Sequence, residues 1–211
     1  MITNKWRLAQ KLELKWWRRY LQSKDIDTYL SQKEIYWNRI LNENEIEIPE
    51  GRFVLDAGCG PAGINMVLPQ AKVIAIDPLL EQYQKQLPHF DQTWYPWVQF
   101  ETRMLENYSS QQSFDYIFCM NVINHVNDIQ KALKVLKTNL SAQGQLILSV
   151  DVHKSQFLKT IFQRLPGDVL HPHQFDLTDY KNLFQQTGFN IQGSTVLKKG
   201  SIFDYYLFTL K

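Results

Sequence analysis

A strand-forming run, Arg52-Phe53-Val54-Leu55-Asp56, passes directly into Ala57-Gly58-Cys59-Gly60-Pro61-Ala62-Gly63. Glycines at this spacing let the backbone turn sharply and let a ligand approach with no Cβ in the way. After the first strand of a doubly wound sheet, such a loop lies at the crevice where these folds bind ligands. The rest of the chain is then required to supply further strands alternating with helices.

It does so. Lys72-Val73-Ile74-Ala75-Ile76-Asp77 reads as a second strand and Val98-Gln99-Phe100-Glu101 as a third. Tyr116-Ile117-Phe118-Cys119-Met120 follows as a fourth and Gln145-Leu146-Ile147-Leu148-Ser149-Val150 as a fifth. Between the last two, Ile129, Ala132, Leu133, Leu136 and Leu140 keep helical spacing, and Gly144 is expected to separate that helix from the next strand. Strands without internal polar alternation indicate a parallel sheet covered on both faces. Thr178 is expected to cap a helix through Thr187, with Gly188 just past its end. Phe189-Asn190-Ile191 and Ile202 to Phe208, separated by Lys198-Lys199-Gly200, then suggest an antiparallel pair.

The first 48 residues read differently. Leu8, Ala9, Leu12, Trp16 and Tyr20 form one apolar stripe at helical spacing, and Tyr29, Tyr36, Trp37, Ile40 and Leu41 suggest a second helix. Ile48-Pro49-Glu50-Gly51 breaks the pattern, which places a helical cap over 1–48 and the α/β domain over 49–211. Lys5, Arg7, Lys11, Lys15, Arg18, Arg19 and Lys24 crowd the cap against Glu13 alone. With Trp6, Trp16, Trp17 and Trp37 they suit a lid whose aromatic face packs inward and whose cations stay solvated. Contact with RNA, an acidic partner or a membrane surface is the functional alternative. Trp94-Tyr95-Pro96-Trp97 reads as a packed loop before the third strand, with a partner-binding surface as the alternative.

The net charge of +2 implies no general attraction to nucleic acid or to acidic membranes. No apolar run approaches the roughly 20 residues that span a bilayer, and the basic N-terminus lacks the apolar core of a signal peptide. Two cysteines, Cys59 and Cys119, cannot make a disulfide framework. A reducing, cytoplasmic setting is expected.

Gly58, Gly60 and Gly63 match the dinucleotide fingerprint G-x-G-x-x-G, a weak signal alone. Asp56, two residues before the first glycine, argues against a pyrophosphate there and for a ligand carrying positive charge. Asp77, 17 positions past Gly60, is suited to bind ribose hydroxyls through its two oxygens. Tyr20 and Lys24 have the Tyr-x-x-x-Lys spacing of a dehydrogenase, but they precede the glycine loop.

Leu55-Asp56-Ala57-Gly58-Cys59-Gly60-Pro61 resembles motif I of the class I S-adenosylmethionine-dependent methyltransferases. Ser113-Phe114-Asp115-Tyr116-Ile117, leading to Asn121-Val122-Ile123-Asn124-His125-Val126, resembles their fourth-strand region. By pattern the chain is similar to the small-molecule group typified by ubiquinone- and menaquinone-biosynthesis methyltransferases, over roughly residues 50–210. The resemblance implies a Rossmann-like, doubly wound α/β fold, with seven mostly parallel strands and the last inserted antiparallel. It implies S-adenosylmethionine as cofactor, with Asp56, Ala57, Gly58, Cys59 and Gly60 around its methionine end. Asp77 would take the ribose hydroxyls, Pro78, Met104 and Leu105 the adenine, and Asn121 the rim. Arg103 stands where the family often has an acid, and Ala62 where motif I usually has glycine.

Methyl transfer is an in-line displacement that alignment alone can largely accelerate, with a base needed only if the acceptor loses a proton. His125 is one candidate base, with packing over the cofactor as the alternative. His173, in His171-Pro172-His173, is the second, with a rigid pocket-closing loop as the alternative. Asp151, past the fifth strand, shares that rim, and His153 or Asp151 would be the third ligand if His171 and His173 held a metal, a spacing that matches no strong metal motif. Asn121 and Asn124 stand where ubiquinone-type relatives can carry metal-binding acids, so no metal is expected. The function expected is methylation of an O, N or C nucleophile on a small molecule. RNA or protein methylation, or a non-catalytic S-adenosylmethionine-binding partner protein, are the alternatives.

Overall fold

The computed structural model describes residues 4–154 and 175–211. The five apolar runs form β1 (Phe53–Ala57), β2 (Lys72–Ile76), β3 (Val98–Glu101), β4 (Phe114–Met120) and β5 (Leu140–His153). With β6 (Ile191–Lys199) and β7 (Phe203–Leu210) they make one seven-stranded sheet of order β3-β2-β1-β4-β5-β7-β6. β1 to β5 pair in parallel, and β7 runs antiparallel to both of its neighbours, β5 and β6. Strand order reverses between β1 and β4, so the crevice of this fold opens where those two strands end.

Alternate residues of each strand feed opposite faces. Val54, Val73, Ala75, Phe118 and Ile147 join a core with Leu21 of α1 (Asn4–Leu21), with Tyr29, Trp37 and Ile40 of α2 (Ile26–Glu43), and with Tyr83 of α3 (Leu80–Gln86). Leu55, Ile76, Ile117, Cys119, Leu146 and Leu148 join the other. There they meet Ile129, Leu133 and Leu136 of α4 (Ile129–Asn139) and Tyr180 and Phe184 of α5 (Leu177–Gln186). Both faces are covered, which is why the strands carry no polar alternation.

The stretch after β1 forms only a 3-10 turn, Ile64–Val67, instead of a long helix. α2 covers that face: the Trp37 indole N–H donates to the Ala62 carbonyl (3.0 Å). The α1–α2 hairpin is also tied at its tip, where a His89 ring nitrogen lies 2.9 Å from the Lys24 carbonyl. The Trp94–Trp97 loop is packed only in part: Tyr95 is buried and the Trp97 indole donates to the Asn65 carbonyl (3.0 Å), whereas Trp94 and Pro96 are exposed.

Three boundaries differ from the sequence-based expectation. Gly144 lies inside β5, at an irregularity where pairing with β4 steps from Phe114–Leu140 to Tyr116–Gln145. A Cβ there would come within 2.8 Å of the Phe114 carbonyl, so this glycine serves close strand approach rather than separation from α4. Asp176, not Thr178, caps α5: it accepts from the Asp179 N–H (3.0 Å), and Asp179 accepts in return from the Asp176 N–H (3.0 Å). Lys198 and Lys199 belong to β6, an edge strand whose residues are mostly exposed and which therefore lacks an apolar signature.

Asp176→Ala removes the reciprocal cap, and urea unfolding should show a loss of about 1 kcal/mol. Asp176→Asn, which keeps an acceptor, should recover most of it.

Candidate functional site

β1 delivers the chain into a loop held by positive φ at Gly58 (77°) and Gly60 (59°). A Cβ on Gly58 would lie 2.4 Å from the Val122 side chain, so loop and β4 rim approach closely only because glycine is there. The Gly58 and Cys59 N–H groups both donate to the Ile76 carbonyl (2.7 and 3.1 Å), and the Gly60 N–H donates to the Asp77 carboxylate (3.1 Å). The other Asp77 oxygen accepts from the Leu79 N–H (2.8 Å). Three successive loop N–H groups are thus directed at the end of β2. A pyrophosphate-binding loop needs such groups free, at the head of a helix, and this one has neither feature.

The loop forms the floor of a cleft of about 510 Å³. Of the residues singled out from sequence, Gly58, Cys59, Gly60, Asp77, Pro78, Met104, Leu105, Asn121 and His125 all line it. Asp56 and Ala57 do not: both are buried behind the wall. One Asp56 oxygen accepts from the backbone N–H (3.1 Å) and side-chain amide (2.8 Å) of Asn65. From there Asp56 braces the turn after the loop. His171 and His173 fall outside the described residues. His153 is buried against Phe203, with ring centres 4.3 Å apart, and Asp151 lies within β5. Tyr20 and Lys24 sit on the α1 side of the hairpin, the Lys24 ammonium 4.6 Å over the Tyr20 ring.

The roof comes from the N-terminal hairpin, through Glu13 and Trp17 of α1 and Lys33, Tyr36 and Trp37 of α2. A Cβ on Gly60 would meet the Trp17 ring at 3.8 Å, so loop and roof are near contact there. Glu13 is the acid that sequence reasoning missed. Its signal was its isolation, one carboxylate on a helix otherwise rich in cations. The Gln10 side-chain amide donates to it (3.4 Å), and burial together with the Asp77 charge pushes its carboxyl up to about 7. Burial likewise raises Asp77, to about 6, with the Asp56 charge adding to the rise. Among the described residues no Lys or Arg reaches either carboxylate within 4 Å. The cleft therefore has an uncompensated acidic corner that suits a cationic ligand. Cys59, also lining it, has its thiol pushed well up by burial and by the Asp56 and Asp77 charges, which suppresses the reactive thiolate.

At the opposite rim Asn121 takes a left-handed conformation (φ 60°), which asparagine tolerates, and donates its N–H to the Ser149 carbonyl (2.9 Å). His125 is half-buried one turn further on. Tyr36 and Tyr205 bring hydrogen-bonded hydroxyls to the same side, with the Tyr205 hydroxyl 2.5 Å from the Ser149 hydroxyl. Neither tyrosine was anticipated, because each comes from an element distant in sequence. Arg103 also lines the cleft, its side chain exposed and 4.0 Å from Glu101. Among the described residues no group of three His, Cys, Asp or Glu side chains could share a metal ion.

A seven-stranded sheet with an antiparallel penultimate strand, and a cleft built for a cationic nucleoside where β1 and β2 end, define a class I S-adenosylmethionine-dependent methyltransferase. A family profile described as a methyltransferase domain matches residues 29–193, and the chain belongs to that family of enzymes. Among solved structures it is similar to the 1,6-didemethyltoxoflavin-N1-methyltransferase of Burkholderia thailandensis, determined with S-adenosylhomocysteine. The two share 18% identity and a TM-score of 0.63, over 100% of this chain and 91% of that one. It is also similar to the magnesium protoporphyrin IX methyltransferase of Synechocystis PCC 6803, determined with S-adenosylhomocysteine. For that pair the identity is 18% and the TM-score 0.62, over 99% of this chain and 100% of that one. At such identities these likenesses speak for the fold. A curated relative, a tRNA U34 carboxymethyltransferase of Helicobacter hepaticus, is 33% identical over an alignment of 119 residues that covers 50% of this chain and 37% of that protein. The match thus spans just over a third of the relative's length.

The raised carboxyls set a pH dependence. Acids shifted upward are protonated below their shifted values and charged above them, so attraction for a cation grows as pH climbs through 6 and 7. Calorimetry at pH 5.5 and 8 should find the preference for cationic S-adenosylmethionine over neutral S-adenosylhomocysteine rising about threefold to tenfold. Glu13→Gln should flatten the part of that rise near pH 7.

Proposed function

We propose that this enzyme transfers the methyl group of S-adenosylmethionine to an O, N or C nucleophile of a small molecule held beside His125. One observation carries the reading: the glycine-loop N–H groups are already bonded to the end of β2, while Glu13 and Asp77 leave unmatched negative charge in the cleft. That combination disfavours a dinucleotide and favours a sulfonium nucleoside.

In this reading Asp77 accepts from the ribose hydroxyls with the lone pairs that Gly60 and Leu79 leave over. Pro78, Met104 and Leu105 flank the adenine, and Gly58, Cys59, Gly60 and Asn121 line the methionine side, with Asp56 and Ala57 supporting the loop from behind. The cofactor supplies an electrophilic methyl carbon, whose bond to sulfur breaks as the bond to the acceptor forms. The protein's part is alignment: Trp17 and Trp37 close the roof and exclude water, while the loop fixes the floor. His125 takes the acceptor's proton where the acceptor must lose one, and His173 is kept as a second candidate for that role. A small acceptor is favoured because the α1–α2 hairpin roofs the cleft, and because both solved neighbours are named for small-molecule substrates. The two buried thiols, Cys59 and Cys119, fit a reducing, cytoplasmic setting. RNA as acceptor is the second reading, on the strength of the partial match to a tRNA-modifying enzyme.

Binding measurements separate these roles. Asp77→Ala should abolish detectable S-adenosylhomocysteine binding, whereas His125→Ala should keep it within about tenfold, or about 1.4 kcal/mol. Equal losses in the two variants would contradict the roles of Asp77 and His125, and tighter binding of NAD than of S-adenosylhomocysteine would overturn the cofactor assignment itself. Methyl transfer to bulk tRNA from radiolabelled cofactor, with none to small-molecule extracts, would replace the small-molecule reading with the RNA one.

A further inference from the structure

The outward side of α1 meets the cleft only at Trp16, on its edge. Leu8, Leu12, Trp16 and Tyr20, spaced four residues apart, are exposed by 48, 38, 50 and 39%. They form one continuous apolar stripe along the helix. Exposed Arg7, Lys11, Lys15, Arg18 and Arg19 flank it, and among the described residues none of these reaches a carboxylate within 4 Å. Charge is also segregated on the scale of the whole chain. Seven of its 23 Lys and Arg fall in the first 24 residues, against one of its 21 Asp and Glu, so the remainder is net acidic. That one acid, Glu13, points into the cleft.

We propose that this face of α1 is a docking surface for an anionic lipid bilayer, on which the helix lies in the plane of the headgroups. Cations beside an exposed Leu/Leu/Trp/Tyr stripe are the composition of an interfacial helix: the apolar row enters the acyl boundary and the Lys and Arg side chains meet the phosphates. The net acidic remainder of the chain is repelled by the same surface, so the charge distribution orients the molecule with α1 toward it. Single-stranded RNA fits less well. Leu8 and Leu12 offer a base nothing to stack on. Trp16 and Tyr20 are already stacked on each other (ring centres 4.9 Å, 7° between planes), and the Lys24 ammonium covers Tyr20 at 4.6 Å. Trp6, Gln10, Glu13 and Trp17 of the same helix line the cleft, and Trp16 borders both faces, so docking on α1 sets the cleft beside the headgroup layer.

The test is co-sedimentation of the full chain with vesicles of phosphatidylcholine alone or with about 30% phosphatidylglycerol, at low and high salt. Binding to the anionic vesicles at least tenfold stronger than to phosphatidylcholine, and weakened by 0.5 M NaCl, is expected from exposed charges within a Debye length of the surface. Leu8→Ser with Leu12→Ser, and separately Lys11→Gln with Lys15→Gln, should each cut that binding about tenfold while S-adenosylhomocysteine affinity and the melting temperature stay unchanged. Equal binding to both vesicle types, or no binding to either, overturns the proposal. So does retention of full vesicle binding by both pairs of variants. Tighter binding to a single-stranded oligonucleotide than to the anionic vesicles would reassign the face to RNA, and a dimer that Leu8→Ser with Leu12→Ser dissolves would reassign it to a second copy of the chain.

Discussion

The contact on which the site depends is the closure of the glycine loop onto the end of β2. Gly58, Cys59 and Gly60 direct consecutive N–H groups at Ile76 and Asp77, which fixes the floor of the cleft and brings the Asp77 carboxylate to its edge. In a low-dielectric corner an unmet N–H or carboxylate is costly, so satisfying both with each other leaves a rigid floor needing no ligand to hold its shape. The same closure decides what the floor can bind. With its donors taken it has little to offer a phosphate, and with its acids unmatched it favours positive charge.

A second carboxylate supports the floor from behind. Asp56, at the end of β1, is buried and bonded to Asn65 through both the backbone and the side chain of that residue. Gly63 lies between them, and a Cβ there would stand 2.4 Å from the Asp56 oxygen. The third glycine of the apparent dinucleotide fingerprint is therefore required by an internal hydrogen bond rather than by helix packing against a phosphate site. Because the chain after it makes only one short turn, the sheet face beside β1 is left for α2 to cover, and Trp37 docks there on the Ala62 carbonyl. The N-terminal hairpin is thus part of the hydrophobic core as well as the roof of the cleft.

What could be read from sequence follows from where the information is local. β1, β2, β4 and β5 announce themselves as apolar runs because both of their faces are buried, and Asp77 is legible because it ends one of them. β6 is not legible over its length: it is an edge strand with Gly193, Ser194 and Lys198 turned to solvent, and only its pairing with β7 makes it a strand. Thr178 is a good capping residue type, but so is Asp176, and the deciding partner, the reciprocal bond with Asp179, is a matter of geometry. Glu13, Tyr36 and Tyr205 were hidden for a different reason. Each reaches the cleft from an element remote from the glycine loop, and nothing local in sequence reports that approach. Asp56 was legible as an acid beside a ligand loop, but its orientation, away from the cleft, was not.

Glu13 also couples the roof to the floor. An acid drawn into a half-buried site beside Asp77 raises the free energy of the closed hairpin whenever both are charged, since two like charges share one low-dielectric corner. Two things lower it: a proton, or a cation lying between them. The neutral forms prevail on the acid side of about 6 to 7, whereas above that range a cationic ligand is what relieves the repulsion. A ligand that favours the closed arrangement is by the same measure favoured by it, because linkage is reciprocal. The sequence context fits this arrangement. Had the neighbours of Glu13 on α1 been acidic as well, the hairpin would be repelled from Asp77 over its whole length. With cations on the outward side, the one inward carboxylate confines the repulsion to the Asp77 corner of the cleft.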